Sequence, residues 1–196
     1  MNSEPADNIG GSDLGPMGSA FPQSADVPLS TVEKLTKEHV VNDFSCDNDD
    51  PERDRVLNQW LKKYALINQG NASCRVYVVH RGGRVVGYYS IAPGNVSFAD
   101  APKRVTTGLA KHPVPVILLA RLAVDLREAG KRLGTALLKD ALLRAEAASD
   151  AIGGRAVLVH AIDAKARDWY MKFGFLASPT DDLHLMLLMK DIRANF

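Results

Sequence analysis

At 196 residues, 46% of them hydrophobic, the chain is long enough for one domain with a sizeable core and a tail. It contains no run of 18 or more apolar residues, and its start, Met1-Asn2-Ser3-Glu4-Pro5, lacks the basic and apolar stretches of a secretion signal, so neither a membrane span nor export is expected. A net charge of +1 conceals four acids and no Lys or Arg in residues 1–27, which leaves a mildly basic body, compatible with an anionic cofactor or with nucleic acid and decisive for neither.

Residues 1–27 are rich in Gly, Ser, Pro, Ala and Asp without apolar periodicity, and are read as a disordered tail ahead of one domain over 28–196. A first strand is expected near Leu29–Leu35. Asp50-Pro51 has the form of a helix start, with Asp as N-cap and Pro in the first turn. Val56, Leu57, Trp60, Leu61 and Tyr64 then mark one apolar helical face to about Ala65, leaving Lys62 and Lys63 off it. Arg75–His80 and Arg84–Ile91 read as strands joined at Gly82-Gly83.

Val114–Val124 is nearly continuous apolar sequence, suited to a central strand buried on both faces. A helix over Lys131–Ala148, a strand over Ala156–Ile162, a helix over Ala164–Phe173 behind Asp163 and ended by Gly174, and a strand over His184–Met189 complete the order. This alternation predicts crossover units with parallel neighbours. Cys46 and Cys74 have no metal-ligand spacing, so no metal site is expected, and a reduced, cytoplasmic protein is the reading.

Two stretches carry chemistry. In Leu119–Ala136 (LARLAVDLREAGKRLGTA) a buried strand feeds a glycine-containing loop and then a helix. A helix start presents unpaired backbone N–H groups and the positive end of the dipole, which suits phosphate. Gly130 and Gly134 allow close approach, and Arg127, Lys131 and Arg132 add positive charge; an ordinary strand-to-helix turn reads the same way. In Ile162–Phe175, Ala166, Trp169, Tyr170 and Phe173 share a helix face, on which Tyr170 by itself would be a core aromatic.

Together the two stretches resemble the GNAT acyltransferase superfamily. Ala166-Arg167-Asp168-Trp169-Tyr170-Met171-Lys172-Phe173-Gly174-Phe175 follows the A-x-x-[FW]-Y-x-x-x-G-F signature of that group throughout. The pyrophosphate pattern Q/R-x-x-G-x-G/A fits less well: with Gly134 in the last place, Ala129 stands at Q/R and Arg132 at the central glycine. Asp163 stands where many members have Asn. The resemblance implies an α/β fold of mixed α+β order, a twisted mixed sheet flanked by helices and splayed at the acetyl-CoA site. Acetyl-CoA would then meet Leu122, Ala123, Val124, Arg127, Gly130, Lys131, Arg132, Leu133, Gly134, Thr135, Asp163 and Ala166, with Tyr170 as catalytic acid.

A narrower likeness runs over residues 28–190. Phe44-x-Cys46, Leu57-x-x-Trp60-Leu61, Val86-Gly87-Tyr88-Tyr89-Ser90, Leu119-Ala120-Arg121-Leu122-Ala123-Val124-Asp125 and Leu137-Leu138-Lys139-Asp140-Ala141 are similar to TacT/AtaT-type toxins of bacterial toxin–antitoxin pairs, with Asp47–Arg55 partly inserted. That likeness implies acetylation of the α-amino group of aminoacyl-tRNA, a block of translation, a homodimer and a ribbon-helix-helix antitoxin. Lys62, Lys63, Lys103 and Arg104 are the candidate tRNA contacts, although each alone is also an ordinary surface charge. An acetyltransferase for a small amine or a protein N-terminus, and a non-catalytic CoA-binding regulatory module, remain alternatives.

An α-amino group titrates at about 7.7–8.0, so part of it is neutral at physiological pH and a dedicated base is optional. His160 could serve as that base, but it lies at a strand end, where a structural histidine is the favoured reading. Backbone N–H groups of Leu122 and Val124 would meet the thioester, and the Tyr170 phenol would donate to the leaving sulfur.

Overall fold

In the computed structural model, residues 27–47 and 50–195 are described. The tail over 1–27 therefore lies outside the described residues except for Val27, whose carbonyl oxygen already accepts from Arg81 at 2.6 Å. The elements are β1 (Glu33–Lys34), α1 (Pro51–Arg53), a π-helical turn Asp54–Gln59, α2 (Trp60–Lys63), α3 (Ala65–Gly70), β2 (Arg75–Arg81), β3 (Arg84–Val96), α4 (Lys103–Thr106), β4 (Val114–Val124), a 3-10 turn Leu126–Glu128, α5 (Leu133–Ile152), β5 (Ala156–His160), α6 (Ala164–Met171), β6 (Leu176–Ala177), β7 (His184–Leu188) and α7 (Met189–Asn195). They build one seven-stranded mixed sheet in the order β1-β2-β3-β4-β5-β7-β6.

Strand alternation assigns the covers. One face carries Tyr89, Ile117, Leu119, Val157 and Val159 against Leu137, Leu138 and Leu142 of α5 and Ile192 of α7. On the other face, Trp60 and Leu61 of α2 pack on Val76, Val78 and Tyr88, and farther along Val105 of α4 packs on Val114, Val116 and Leu158. The helical segment opening at Pro51 starts as its sequence implies, with the Asp50 side chain accepting from the N–H groups of Glu52 and Arg53. It is interrupted by the π turn, where Asp54 accepts from Asn58 and from Gln59 five residues on. The widened turn presents carbonyl oxygens to the sheet: Leu57 accepts from the Tyr88 hydroxyl and Val56 from Arg121 Nε.

Several boundaries differ from the sequence expectation. The first strand shrinks to two residues, with Leu29 held by an isolated bridge to Arg81. β3 runs on to Val96 because it pairs with the whole of β4. α5 begins at Leu133 because Arg132 is left-handed, and ends at Ile152 before Gly153. The parallel rule holds for β4 with β5 and fails for β5 with β7, which are antiparallel. The crossover from β5 through α6 leads to the edge strand β6; the β6–β7 hairpin then folds β7 back between β5 and β6, reversing its direction. α4, β6 and α7 are too short to leave a periodic signal.

Gly87 on β3 allows α5 to approach: a Cβ there would lie 2.8 Å from Leu137 Cδ1, 3.1 Å from Val79 and 3.3 Å from Leu133. Overpacking of this kind typically costs about 1–3 kcal/mol. Gly87→Ala is expected to lower unfolding free energy by that amount in urea titration; a loss under about 0.5 kcal/mol would mean that the facing side chains simply yield.

Candidate active site

The cleft exists because β4 and β5 stop pairing. Their parallel register ends at Leu119↔Val159. At the same level β4 carries an extra residue against β3, since Ile91 faces Leu119 and Ser90 faces Arg121, leaving Ala120 as a bulge. β5 continues for one residue, His160, and the Ala161 N–H then donates to Leu183 O on the β7 side. The remainder of β4 has no strand on that flank. Asp125 N–H donates to Val86 O of β3 at 2.9 Å, so alternation turns the N–H groups of Leu122 and Val124 away from β3 and into the gap. The Ala123 side chain is buried with Tyr88 on the opposite face.

A cavity of about 670 Å³ passes through this fork. It is lined by Val56 and Leu57 of the π turn, Leu122 of β4, His160 of β5, and Ala166 and Tyr170 of α6. Tyr170 is 8% exposed, its ring edge-on to Trp169 and Phe175, and burial pushes its phenol well above its ordinary value. It is a neutral hydrogen-bond donor at the wall. Full proton transfer to a thiolate is uphill by about 2 kcal/mol for an unperturbed phenol, and burial steepens it, so stabilisation of the leaving sulfur by hydrogen bonding is the role the site favours.

The loop before α5 has the backbone of a phosphate cradle. Gly130 has φ +76° and Arg132, the N-cap of α5, has φ +61° and ψ +12°. The family pattern has glycine at the second of these places; here an arginine adopts the left-handed conformation instead. Gly134 lies between cleft and loop, where a Cβ would stand 3.7 Å from Val124 and 3.8 Å from Trp169. Arg132 and Thr135 are exposed and Leu133 is buried. These features fit acetyl-CoA, with the N–H groups of the loop and first turn toward its phosphates and those of Leu122 and Val124 toward its arm.

Three expected contacts are otherwise engaged. Arg127 is bound to the buried Asp125 at 2.6 Å and to Asp43 O at 3.0 Å. Lys131 pairs with Glu128 at 3.2 Å, beside the Arg81–Glu128 pair. Asp163 caps α6 by accepting from Ala166 N–H at 2.7 Å and also pairs with Arg53, joining the two walls of the cleft. The sequence reading passed over Arg121 and Arg53. Arg121 lies over the Trp60 ring, 4.2 Å from its centroid, and its signal was a cation inside an otherwise apolar strand. Arg53 left no pattern, since it meets Asp163 only through the fold.

Among the described residues Glu33, His39 and His80 form one cluster with metal-ligand atoms. His39 Nδ1 accepts from Thr36 N–H and His80 Nδ1 from Gly83 N–H, so each ring carries its proton on Nε2 and donates it to Glu33. That tautomer opposes metal ligation through Nε2. Burial raises the Cys46 thiol to about 11, which removes it as a nucleophile at neutral pH.

A family model described as an acetyltransferase (GNAT) domain matches residues 72–176, which include the fork, the loop and the Tyr170 helix. The chain belongs to the GNAT acetyltransferases. This GNAT chain is 54% identical over 138 residues to a tRNA-acetylating toxin of Mycobacterium tuberculosis, covering 70% of this chain and 82% of the relative. AtaT complexed with acetyl-methionyl-tRNAfMet superposes with a TM-score of 0.76 at 25% identity, over 85% of this chain and 98% of that one. AtaTR bound with AcCoA gives 0.70 at 26% identity, over 85% and 96%. The GNAT assignment makes this protein an N-acetyltransferase with acetyl-CoA as donor substrate.

Tyr170→Phe preserves the ring packing and removes the donor. It is expected to keep acetyl-CoA binding by calorimetry and to lower kcat by about 10²–10⁴-fold; a rate within about threefold of the parent would reduce Tyr170 to a packing role. Arg132→Gly and Arg132→Ala remove the same charge, but only glycine relieves the left-handed backbone, by about 1–2 kcal/mol. The glycine variant is therefore expected to be the more stable of the two by about 1 kcal/mol in denaturant titration, and equal stabilities would show the loop to be unstrained.

Proposed function

We propose that this enzyme acetylates the α-amino group of aminoacyl-tRNA and so arrests translation as the toxin of a toxin–antitoxin pair. The observation that carries this reading is the 54% identity to a tRNA-acetylating toxin, on a fold shared with AtaT in complex with an acetylated initiator tRNA. The candidate tRNA residues fit it in placement. Lys62 and Lys63 are exposed on α2 and Lys103 and Arg104 on α4, two helices that cover the same sheet face. Arg104 also pairs with Asp191 at 3.1 Å, which tempers its share.

Tyr170 is the catalytic acid of this proposal, acting as the donor to the leaving sulfur. The contacts proposed for acetyl-CoA are the backbone of Leu122, Val124, Gly130, Arg132, Leu133, Gly134 and Thr135, with Ala166 at the wall. A homodimer silenced by a ribbon-helix-helix antitoxin in the cytoplasm completes the reading. A solved AtaT structure bound to the C-terminus of the antitoxin AtaR supports the partner class, and among the described residues no helix is long and apolar enough to cross a membrane.

Labelled acetyl-CoA supplied with a charged-tRNA pool, polyamines, aminoglycosides and peptides tests the acceptor. Label is expected on charged tRNA, with binding that weakens steeply as salt rises because each neutralised phosphate releases counterions. Combined replacement of Lys62, Lys63, Lys103 and Arg104 by alanine is expected to flatten the salt slope. Label confined to a small amine or a peptide would overturn the tRNA reading.

A further inference from the structure

The position of one side chain at the fork adds a step to the reaction. We propose that His160 is the group that takes the proton shed by the acceptor amine as its bond to the acetyl carbon forms. The proposal rests on the tRNA reading only for the identity of that amine.

His160 is the last residue of β5, one step beyond the final β4–β5 pair and level with the bulged Ala120. It faces the same cavity as Leu122, whose N–H is turned into the gap, and Tyr170, whose phenol is the donor for the leaving sulfur. The imidazole thus lines the cavity that the proposed donor contacts also line. Among the described residues no hydrogen bond engages its ring, and the residue is exposed at the cavity it lines. The ring is held in place by stacking: His184, its cross-strand partner on β7, lies parallel to it with centroids 4.0 Å apart and 26° between planes. His184 in turn reaches Asp181 at 3.5 Å.

The surroundings favour the neutral ring. Partial burial against the cleft wall and the neighbouring His184 lower the His160 pKa from its ordinary 6.5, and Asp181 opposes them only in part. Arg53, Arg121 and Lys165 border the same cavity. Asp168, the carboxylate on this wall, is exposed and paired with Arg167 at 2.8 Å. His160 is therefore the neutral base at the wall of the cleft at physiological pH.

A base weaker than the amine suffices for this step. An α-amino group titrates at about 7.7–8.0, so a neutral fraction exists without help. As that nitrogen bonds to the acetyl carbon it becomes a strong acid, and His160 accepts its proton. The carbon–sulfur bond breaks, and the sulfur departs as thiolate under the Tyr170 hydrogen bond. The thiolate takes a proton from solvent and His160 returns its own there, so no proton is gained or lost.

The test is run on the full chain with charged tRNA and saturating acetyl-CoA. The parent enzyme comes first: if it labels a different amine, the tRNA reading falls, and the variants are compared on the amine that is labelled. His160→Ala and His160→Gln are expected to lower kcat at least about tenfold with the acetyl-CoA KM within about threefold, and added imidazole is expected to restore part of the rate to the alanine variant, whose cleft has room for it. The glutamine variant, which keeps much of the volume, serves if the alanine variant fails to bind acetyl-CoA. A kcat within about threefold of the parent for the variant that binds acetyl-CoA, or an alanine variant that binds acetyl-CoA normally and gains nothing from imidazole, overturns the proposal.

Discussion

The constraint on which this structure depends is the end of the β4–β5 ladder at Leu119↔Val159. Backbone N–H groups in a sheet interior need partners, and those of Leu122 and Val124 are left without a strand. The cavity that Leu122 lines leaves room beside this open edge. The bulge at Ala120 bends β4 at this level, while the Ala161–Leu183 hydrogen bond draws the end of β5 toward β7. Around this fork lie Tyr170 on one wall, His160 at its apex, and the loop before α5 beyond the end of β4.

Holding a sheet open requires support on both sides. On one, α5 packs Leu137 and Leu138 across β3 and β4, with Gly87 letting them sit close. On the other, the π turn is fastened by the Tyr88 hydroxyl and by Arg121, whose guanidinium lies between Trp60 and the cleft. The end of β4 is tied down by Asp125. Burial alone would raise its carboxyl, but hydrogen bonds from Arg127 and from Ser45 N–H hold it low, so the contact stays ionised except in strong acid. Arg127 therefore steadies the loop from behind while the exposed Arg132 remains at the helix start.

Acyl transfer divides its demands between the two ends of this cleft. The donor end needs N–H groups and a gap narrow enough for an extended arm, and the unpaired edge of β4 and the turn at Arg132 and Gly134 are the elements proposed for it. The acceptor end needs room, positive charge and a way to dispose of a proton. The π turn lines the cavity with Val56 and Leu57, and Arg53, Arg121 and Lys165 border it. The left-handed Arg132 is consistent with a loop conformation required by its task, because the helix start would move if that residue adopted an ordinary backbone.

By itself the sequence determined the long elements, whose periodicity reflects burial on one or both faces, and the Tyr170 helix, whose signature is local. It also determined the glycine-bearing turn into α5, because left-handed backbone leaves a trace in residue choice, although Arg132 hid half of it. Only the tertiary structure decided the rest. β7 runs antiparallel to β5 because a two-residue edge strand intervenes, and two residues carry no period. Arg127 turned to Asp125, and Asp163 to Arg53, because a charge takes the nearest opposite charge in space, and residues 53 and 163 become neighbours only when the sheet closes. The same holds for His160: sequence placed it at a strand end, and its position at the apex of the fork follows from where its partner strand stops pairing.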